Sequence, residues 1–322
     1  MIARRRCLQA GAAALAASAW PAAWAQAYPH KPVRMLVGYT PGSATDLYGR
    51  AIAKQLQQTL GQPFVVDNKP GAAGNIAVET AVRSPADGYT VLNSASQIVI
   101  NPFVQKLSYD TEKDLIPVAQ TISVSYVLVT RPDFPAADLP ALLAHVKKHP
   151  RKLNYGSYGS GSGPHLSMVM LARAAGLEIE HIQYRGSPQM LLGLMAGELD
   201  MAFDTSTSVA SHVQSGKLKA VAVAGPRPVE VIPGAQPIAK SFPGFDTDGW
   251  QGLFVPAGTP QAIVDQLAAE VAKALRTEEL RNFSAARGVH LVGSTPAQFA
   301  AYMRQELRKY EQVVRENNIQ VG

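Results

Sequence analysis

Twice along this chain of 322 residues, an apolar segment leads through a glycine-rich loop straight into a helical pattern. The longer example is residues 153–166, LNYGSYGSGSGPHL, in which Pro164 suits the first turn of a helix. Glycine permits left-handed or crowded backbone, and a helix start leaves N–H groups unpaired with partial positive charge. Ser157, Ser160 and Ser162 add hydroxyl donors. The stretch therefore predicts a strand, a loop that binds a carboxylate or phosphate, and a helix; a flexible surface linker is the alternative.

The second example is residues 33–61, where VRMLVGY precedes TPGSATD and a helical period of apolar residues ends at Gly61. Ser43 or Thr45 is expected to cap this helix, and Asp46 in its first turn suits the helix dipole. This arrangement repeats the strand, loop and helix start of the longer example.

Strands and helices alternate along most of the chain, which is the pattern of an α/β fold with doubly wound, mostly parallel sheets. We expect the β-branched segment 118–130 to leave the first domain near Thr130 and the chain to return near Trp250. Ligands of such sheets bind at the carboxyl ends of strands, where residues 93–96 are expected to lie. The predicted divisions are a signal peptide at 1–27, a first lobe at 28–129 and 248–322, and a second lobe at 130–247.

The amino terminus has the composition of a cleavable export signal. Arg4, Arg5 and Arg6 precede an apolar run at 8–20, and Ala-x-Ala cleavage sites follow at 23–27. The run is too short for a membrane anchor, and the paired arginines leave both Sec and Tat export open. We therefore expect the mature protein in the periplasm.

Composition excludes several function classes. The formal net charge is +6, to which the three signal arginines contribute, and no basic run elsewhere indicates nucleic acid. The single cysteine, Cys7, lies within the predicted signal, so the mature chain has neither a disulfide nor a thiol nucleophile. No later segment reaches the length of a membrane helix.

Eight short motifs occur in an order that resembles one protein family. They are YPHKPV at 28–33, PGSATD at 41–46, PGAAGN at 70–75, PADGYTVL at 85–92, SYGSGSGPHL at 157–166, YRG at 184–186, GKLKAVA at 216–222 and GWQGLFVPAGTP at 249–260. Together they resemble the Bug-type solute receptors, the TctC-like periplasmic component of tripartite tricarboxylate transporters. The resemblance implies a two-lobed periplasmic-binding-protein fold (Venus flytrap, type II-like) that is not an enzyme and needs neither cofactor nor metal.

The resemblance also implies a ligand and a partner. The ligand is a small di-, tri- or aromatic carboxylate held in the cleft between the lobes. The partner is the set of membrane permease subunits of a tripartite transporter, or a sensor protein, and the receptor is expected to be a monomer.

The same resemblance implies that the loops at 39–45 and 157–165 hold the ligand, with residues 184–187 and Asp204 near the cleft. Ser43 stands where the family usually has glycine, and Arg185 where it usually has lysine. The expected ligand-binding residues are Tyr39, Gly42, Ser43, Ala44, Thr45, Ser94, Tyr158, Gly159, Ser160, Gly161, Ser162, His165, Tyr184, Arg185, Gly186 and Asp204.

Three polar side chains in this set also have ordinary structural explanations. His165 either bonds the anion or satisfies a neighbouring carbonyl, and a single histidine without other metal ligands nearby argues against zinc. Asp204 either accepts a hydrogen bond from a ligand hydroxyl or amine, or caps the segment that follows it. Arg185 either pairs with a second carboxylate or forms a surface salt bridge.

Three tyrosines, Tyr39, Tyr158 and Tyr184, lie beside the candidate loops and either line the site or pack with hydrated hydroxyls. An NAD-type Rossmann oxidoreductase is the alternative from another class, because Gly159 and Gly161 follow a strand. Pro164 stands in place of that motif's third glycine. No serine in the loop has glycine two residues away on both sides, which argues against a serine hydrolase.

Overall fold

The computed structural model describes residues 28–316, so the predicted signal peptide lies outside the described residues. Two six-stranded sheets form the frame, and helices pack against both. The elements are β1 Val33–Val37, α1 Ala44–Leu60, β2 Phe64–Asn68, α2 Asn75–Val82, β3 Thr90–Ala95, α3 Gln97–Val104, β4 Leu115–Val124, β5 Tyr126–Thr130, α4 Leu139–Lys148, β6 Asn154–Ser157, α5 Gly163–Ala175, β7 Glu180–Gln183, α6 Ser187–Ala196, β8 Met201–Thr205, α7 Ser206–Gln214, β9 Lys219–Val223, β10 Gln236–Pro237, β11 Gly249–Pro256, α8 Gln261–Ala274, α9 Glu278–Ala285, β12 Val289–Leu291 and α10 Pro296–Glu316.

The first sheet has the strand order β12-β4-β11-β3-β1-β2. Strand β1 pairs in parallel with β2 and β3, as expected for strands joined through helices. Strand β11 runs antiparallel to β3 and β4, and β12 runs antiparallel to β4. Strand β11 enters this sheet from the other one, and β12 follows it through α8 and α9, so both strands run opposite to β4.

The second sheet has the order β10-β9-β5-β8-β6-β7. Strand β6 is parallel to β7 and β8, and β9 is parallel to β10. Strand β5, which enters this sheet from the first, is antiparallel to β8 and β9. Both sheets are therefore mixed, and the α/β fold expected from the sequence is confirmed.

The chain passes between the sheets at Ser125 and again at Asp248. The sequence predicts one extended segment at 118–130 and a lobe boundary at 129 and 130. In the structure β4 ends at Val124, and Tyr126–Thr130 pairs wholly within the second sheet. The residues on both sides of Ser125 are apolar, so the sequence does not indicate which sheet each half joins. The strand pairing places the crossing at Ser125 rather than at 129 and 130.

The C-terminal helix α10 covers the first sheet. Phe299, Met303 and Tyr310 are buried on one face of it, at helical spacing. The indole nitrogen of Trp250 in β11 donates to Glu306 Oε2 at 3.1 Å. These contacts return the end of the chain to the sheet in which it began. Within residues 28–316 no helix is both long and apolar enough to cross a membrane.

Candidate ligand-binding site

A small buried cavity lies between loops and strand ends of the two sheets. Its volume of about 20 Å³ is roughly that of one water molecule. The first sheet contributes the loop after β1, the start of α1 and the ends of β3, β4 and β11. The second sheet contributes β5, the loop after β6, the start of α6 and the end of β8. The lining residues are Tyr39, Ser43, Ala44, Thr45, Ala95, Val124, Tyr126, Tyr158, Ser187, Asp204, Thr205, Trp250 and Gln251.

Helix α1 begins at this cavity. Ser43 is its N-cap, and the Ser43 hydroxyl accepts a hydrogen bond from the Asp46 amide at 3.3 Å. The Asp46 carboxylate accepts from the Gly42 amide at 2.9 Å, so both polar groups serve the cap. Ala44 and Thr45, at the first two helical positions, remain beside the cavity with amides that have no partner within the helix.

Two more helices begin at the same cavity. Helix α6 starts with Ser187, and α7 follows Thr205, whose hydroxyl accepts from the Ser208 amide at 3.3 Å. Each helix start carries partial positive charge. None of the lining side chains, all within the described residues, is a cation. The backbone dipoles of three helix starts therefore place partial positive charge around the cavity, which is an arrangement that attracts an anion.

Three tyrosines form much of the wall. Tyr39 and Tyr158 come from loops of different sheets and meet edge to face, with ring centroids 5.5 Å apart. Burial, together with nearby Tyr126, raises the pKa of Tyr39 well above its ordinary value. Burial raises the pKa of Tyr126 to about 12. The tyrosine hydroxyls thus stay neutral near pH 7, and those of Tyr126 and Tyr158 are hydrogen-bonded to each other in this structure.

Asp204, at the end of β8, is the one acidic residue in the lining. It is 1% exposed and accepts from Ser187 Oγ at 2.5 Å and from the Thr205 amide at 2.7 Å. Burial raises its pKa to about 6, although these hydrogen bonds favour the ionised form. Asp204 therefore fixes the start of α6 and also presents a carboxyl group to the cavity.

The two sides of the site are in contact. A Cβ atom on Gly186 would collide with the Thr40 side chain, and one on Gly42 would lie 3.6 Å from Pro188 Cγ. The Gln105 amide nitrogen donates to the Ser160 carbonyl across the same interface at 3.0 Å. The two sides of the site are therefore packed together in this structure, which is called the closed form below.

Several N–H and O–H donors of the glycine loop at 157–162 form hydrogen bonds within the loop or with His165. The Gly159 amide donates to Ser157 Oγ at 3.2 Å, and the Gly161 amide to His165 Nδ1 at 3.4 Å. The amide and hydroxyl of Ser162 both donate to the Gly159 carbonyl, at 3.0 and 2.6 Å. None of these three amides belongs to a residue that lines the cavity, and Tyr158 is the one residue of this loop that does.

The loop instead packs against the first sheet's side. Gly161 has a positive φ of 83°, and a Cβ there would lie 2.6 Å from Asn101 Oδ1. Asn101 is fully buried, and its amide nitrogen donates to Asn75 Oδ1 at 2.8 Å, so it has little freedom to move. The absence of a side chain at Gly161 therefore permits close approach between the two sides.

His165 also lies away from the cavity. Its ring packs against His181, with centroids 4.6 Å apart. Burial, followed by the influence of His181, lowers its pKa to about 4, so the ring is neutral near pH 7. It accepts from the Gly161 amide, which matches a packing role within the loop.

The remaining predicted residues lie outside the lining for different reasons. Ser94 accepts from Gln97 Nε2 at 2.8 Å, and the Tyr184 hydroxyl donates to Glu198 at 3.0 Å. Arg185 is exposed. Predicted residues that line the cavity are Tyr39, Ser43, Ala44, Thr45, Tyr158 and Asp204, and those that do not are Gly42, Ser94, Gly159, Ser160, Gly161, Ser162, His165, Tyr184, Arg185 and Gly186.

Sequence reasoning did not identify Val124, Tyr126, Thr205 or Gln251 as site residues, although all four line the cavity. The available signal was a polar residue inside an apolar strand pattern. Gln251 interrupts the apolar segment GWQGLFV, and Tyr126 follows the break at Ser125. Such residues are visible in the sequence, but the sheet face that they occupy is not.

Comparison with known proteins agrees with this architecture. The family model described as "Tripartite tricarboxylate transporter family receptor" matches residues 48–319. The protein BugT of Bordetella pertussis is 32% identical over 91% of this chain and 91% of its own length. The periplasmic binding protein BugD superposes with a TM-score of 0.88 at 28% identity, covering 91% of this chain and 99% of BugD.

Two further solved structures carry ligands. The R. palustris protein Rpa4515 with adipate has a TM-score of 0.87 at 29% identity, over 91% of this chain and 99% of that one. MatC from Rhodopseudomonas palustris with bound malate has a TM-score of 0.83 at 29% identity, over 89% of this chain and all of that one. With a family model that matches most of its length, this chain belongs to the tripartite tricarboxylate transporter receptor (TctC) family.

Proposed function

We propose that this protein is a periplasmic receptor that closes on a small organic carboxylate and passes it to the membrane permease subunits of a tripartite transporter. The observation that carries the proposal is the meeting of three helix starts, those of α1, α6 and α7, around one cavity without a cationic side chain in its lining. Adipate and malate, present in the two related structures, make carboxylates the first ligand class to test.

The ligand carboxylate accepts hydrogen bonds from first-turn amides and neutral hydroxyls. Ala44 and Thr45 supply amides on one side, and Ser43 and the tyrosines supply hydroxyl groups. Hydrogen bonds to an ionised acceptor are roughly twice as strong as neutral ones, and the burial of the lining residues reduces screening by water. Binding therefore needs no arginine or lysine.

Entry of the ligand requires the site to open. A cavity of about 20 Å³ does not accommodate an acid of several carbon atoms. We propose two lobes built on the two sheets, which separate by rotation at Ser125 and Asp248, the residues where the chain changes sheets. Tyr39 and Tyr158, in contact across the closed site, then move apart.

We expect the protein to act in the periplasm, because an export signal is predicted at 1–27 and because of the family to which the chain belongs. Binding without turnover is the expected behaviour, because the relatives BugD and MatC are described as a periplasmic binding protein and as a protein with bound malate. The protein itself acts through closure around the ligand.

A ligand screen tests the proposal. The melting temperature of the mature protein is measured with mono-, di- and aromatic carboxylates, and with sugars and simple amines as controls. At least one carboxylate is expected to raise the melting temperature in a saturable manner, without chemical change in the recovered ligand. A shift with a sugar or an amine alone, and with no carboxylate, would reject the proposal.

A further inference from the structure

Two hydrogen-bond acceptors face the cavity from opposite sheets. Asp204 presents its carboxyl group from β8, and Gln251 presents its side chain from β11. Both are 1% exposed. The Gln251 Oε1 atom is buried and has no hydrogen-bond partner among the described residues. A buried acceptor without a donor is unfavourable, so this side of the cavity favours a ligand that supplies donors.

We infer that the acid taken by this cleft has a single carboxylate and also carries a hydroxyl or ammonium group that donates to Asp204 and Gln251. The inference rests on the proposed function and narrows its ligand class. The start of α1, with the amides of Ala44 and Thr45, takes the carboxylate, and the two acceptors take the donor group.

Charge supports the same conclusion. Asp204 forms no ion pair within the described chain, and none of the cavity's lining side chains is a cation. A second ligand carboxylate beside Asp204 would place two like charges in a buried site, and one of them would have to take up a proton. An ammonium or hydroxyl group would instead give a donor to the unpaired Gln251 Oε1 and one more donor to the Asp204 carboxyl group, which already accepts from Ser187 and Thr205.

The lining offers apolar surface to the body of such a ligand once the site has opened. Tyr39, Tyr126, Tyr158 and Trp250 give apolar ring surface between the polar groups. Aromatic faces also attract ammonium groups when water is excluded. The lining therefore suits either an aromatic hydroxy acid or an amino acid with an apolar spacer.

Matched acids that differ only in the second group provide the test. Dissociation constants are measured by calorimetry at pH 7.5 for hexanoate, 6-hydroxyhexanoate, 6-aminohexanoate and adipate. The aromatic set is benzoate, 4-hydroxybenzoate, 4-(aminomethyl)benzoate and terephthalate. In at least one set, the hydroxy or amino acid is expected to bind at least tenfold more tightly than both the unsubstituted acid and the diacid.

The variant Asp204→Asn adds a reciprocal test, with surface Asp133→Asn as the matched control. Removal of the Asp204 charge is expected to weaken binding of the amino acid and to strengthen binding of the diacid, so that the ratio of their dissociation constants shifts at least tenfold. Asp133→Asn is expected to leave that ratio unchanged. Tighter binding of the wild-type protein to diacids than to hydroxy or amino acids in both sets would overturn this inference and leave the proposed function intact. The proposed function itself is rejected by the broader screen described above, when a sugar or an amine shifts the melting temperature and no carboxylate does.

Discussion

Ser125 and Asp248 are joined by a hydrogen bond at the two points where the chain passes between its sheets. The Ser125 hydroxyl donates to Asp248 Oδ2 at 3.1 Å. The Asp248 carboxylate also packs against Gly225, where any Cβ atom would collide with it. Its Oδ1 atom is buried without a partner among the described residues. The carboxylate of Asp248 therefore links the two segments of the proposed hinge.

This group makes stability depend on pH. Burial, partly opposed by the Ser125 hydrogen bond, raises the pKa of Asp248 from 3.8 to about 7. The folded state thus binds a proton more tightly than the unfolded state, and its contribution to stability is complete below about pH 4 and is lost as the pH rises through about 7. Asp204, with its pKa raised to about 6, acts in the same direction.

The pKa values of His165 and His181, which burial lowers, act in the opposite direction, so the prediction concerns the difference between two proteins. We predict that wild type loses stability relative to Asp248→Asn as the pH rises from 5 to 8. Urea titrations at several pH values provide the measurement, and Asp133→Asn serves as the surface control. Parallel curves for wild type and Asp248→Asn would show that Asp248 does not titrate in this range.

Ligand affinity should also depend on pH, in a direction set by the second group of the ligand. Near Asp204 the other titratable groups are Tyr126 and Tyr158, whose pKa values burial raises, so both stay neutral between pH 5 and 8. As the pH rises through about 6, Asp204 becomes ionised. Diacids are expected to bind more weakly and ammonium acids more tightly across this interval, as measured by calorimetry from pH 5 to 8. The same slope for both ligands would contradict the role of Asp204.

Gly161 offers a test of closure with a close internal control. Gly161 and Gly197 both have a φ of 83°, but a Cβ on Gly197 meets nothing within 4 Å, whereas one on Gly161 meets buried Asn101. Alanine at either site is expected to cost about 1 kcal/mol of stability through left-handed backbone strain. Only Gly161→Ala should also weaken ligand affinity, by about tenfold or more, because it obstructs the closed form. Equal affinities of the two variants in a binding titration would remove the loop from the closure mechanism.

Opening of the lobes can be followed in solution. Closure brings Thr40 against Gly186 and Gln105 against Ser160. A saturating ligand should therefore reduce the radius of gyration measured by X-ray scattering. An unchanged radius, with binding established independently, would argue against rotation at Ser125 and Asp248.

The sequence predicted the βα units well because their signals are local. Apolar runs, glycine loops and helix caps at 33–61 and 153–166 occupy consecutive positions, and the structure confirms a strand, loop and helix in each. The cap formed by Ser43 and Asp46 was also predictable, because capping depends on residues within one turn.

Long-range features were not predictable in the same way. The division of 118–130 at Ser125 depends on which distant strands receive each half. The presence of Gln251 and Tyr126 in the site depends on the side of a strand that faces the cavity. The direction of the amides at 157–162 depends on a loop closing onto its own carbonyl and histidine, which glycine content alone does not specify.

The central claim is that the cleft holds a negative charge by helix starts and neutral donors. Titration of acids against their uncharged amides tests it most directly, with benzoate against benzamide, hexanoate against hexanamide, and the same comparison for the tightest acid found. We expect an acid to bind at least tenfold more tightly than its amide, because only the ionised group gains charge-assisted bonds in the cavity. Equal binding of acid and amide across the set would contradict it.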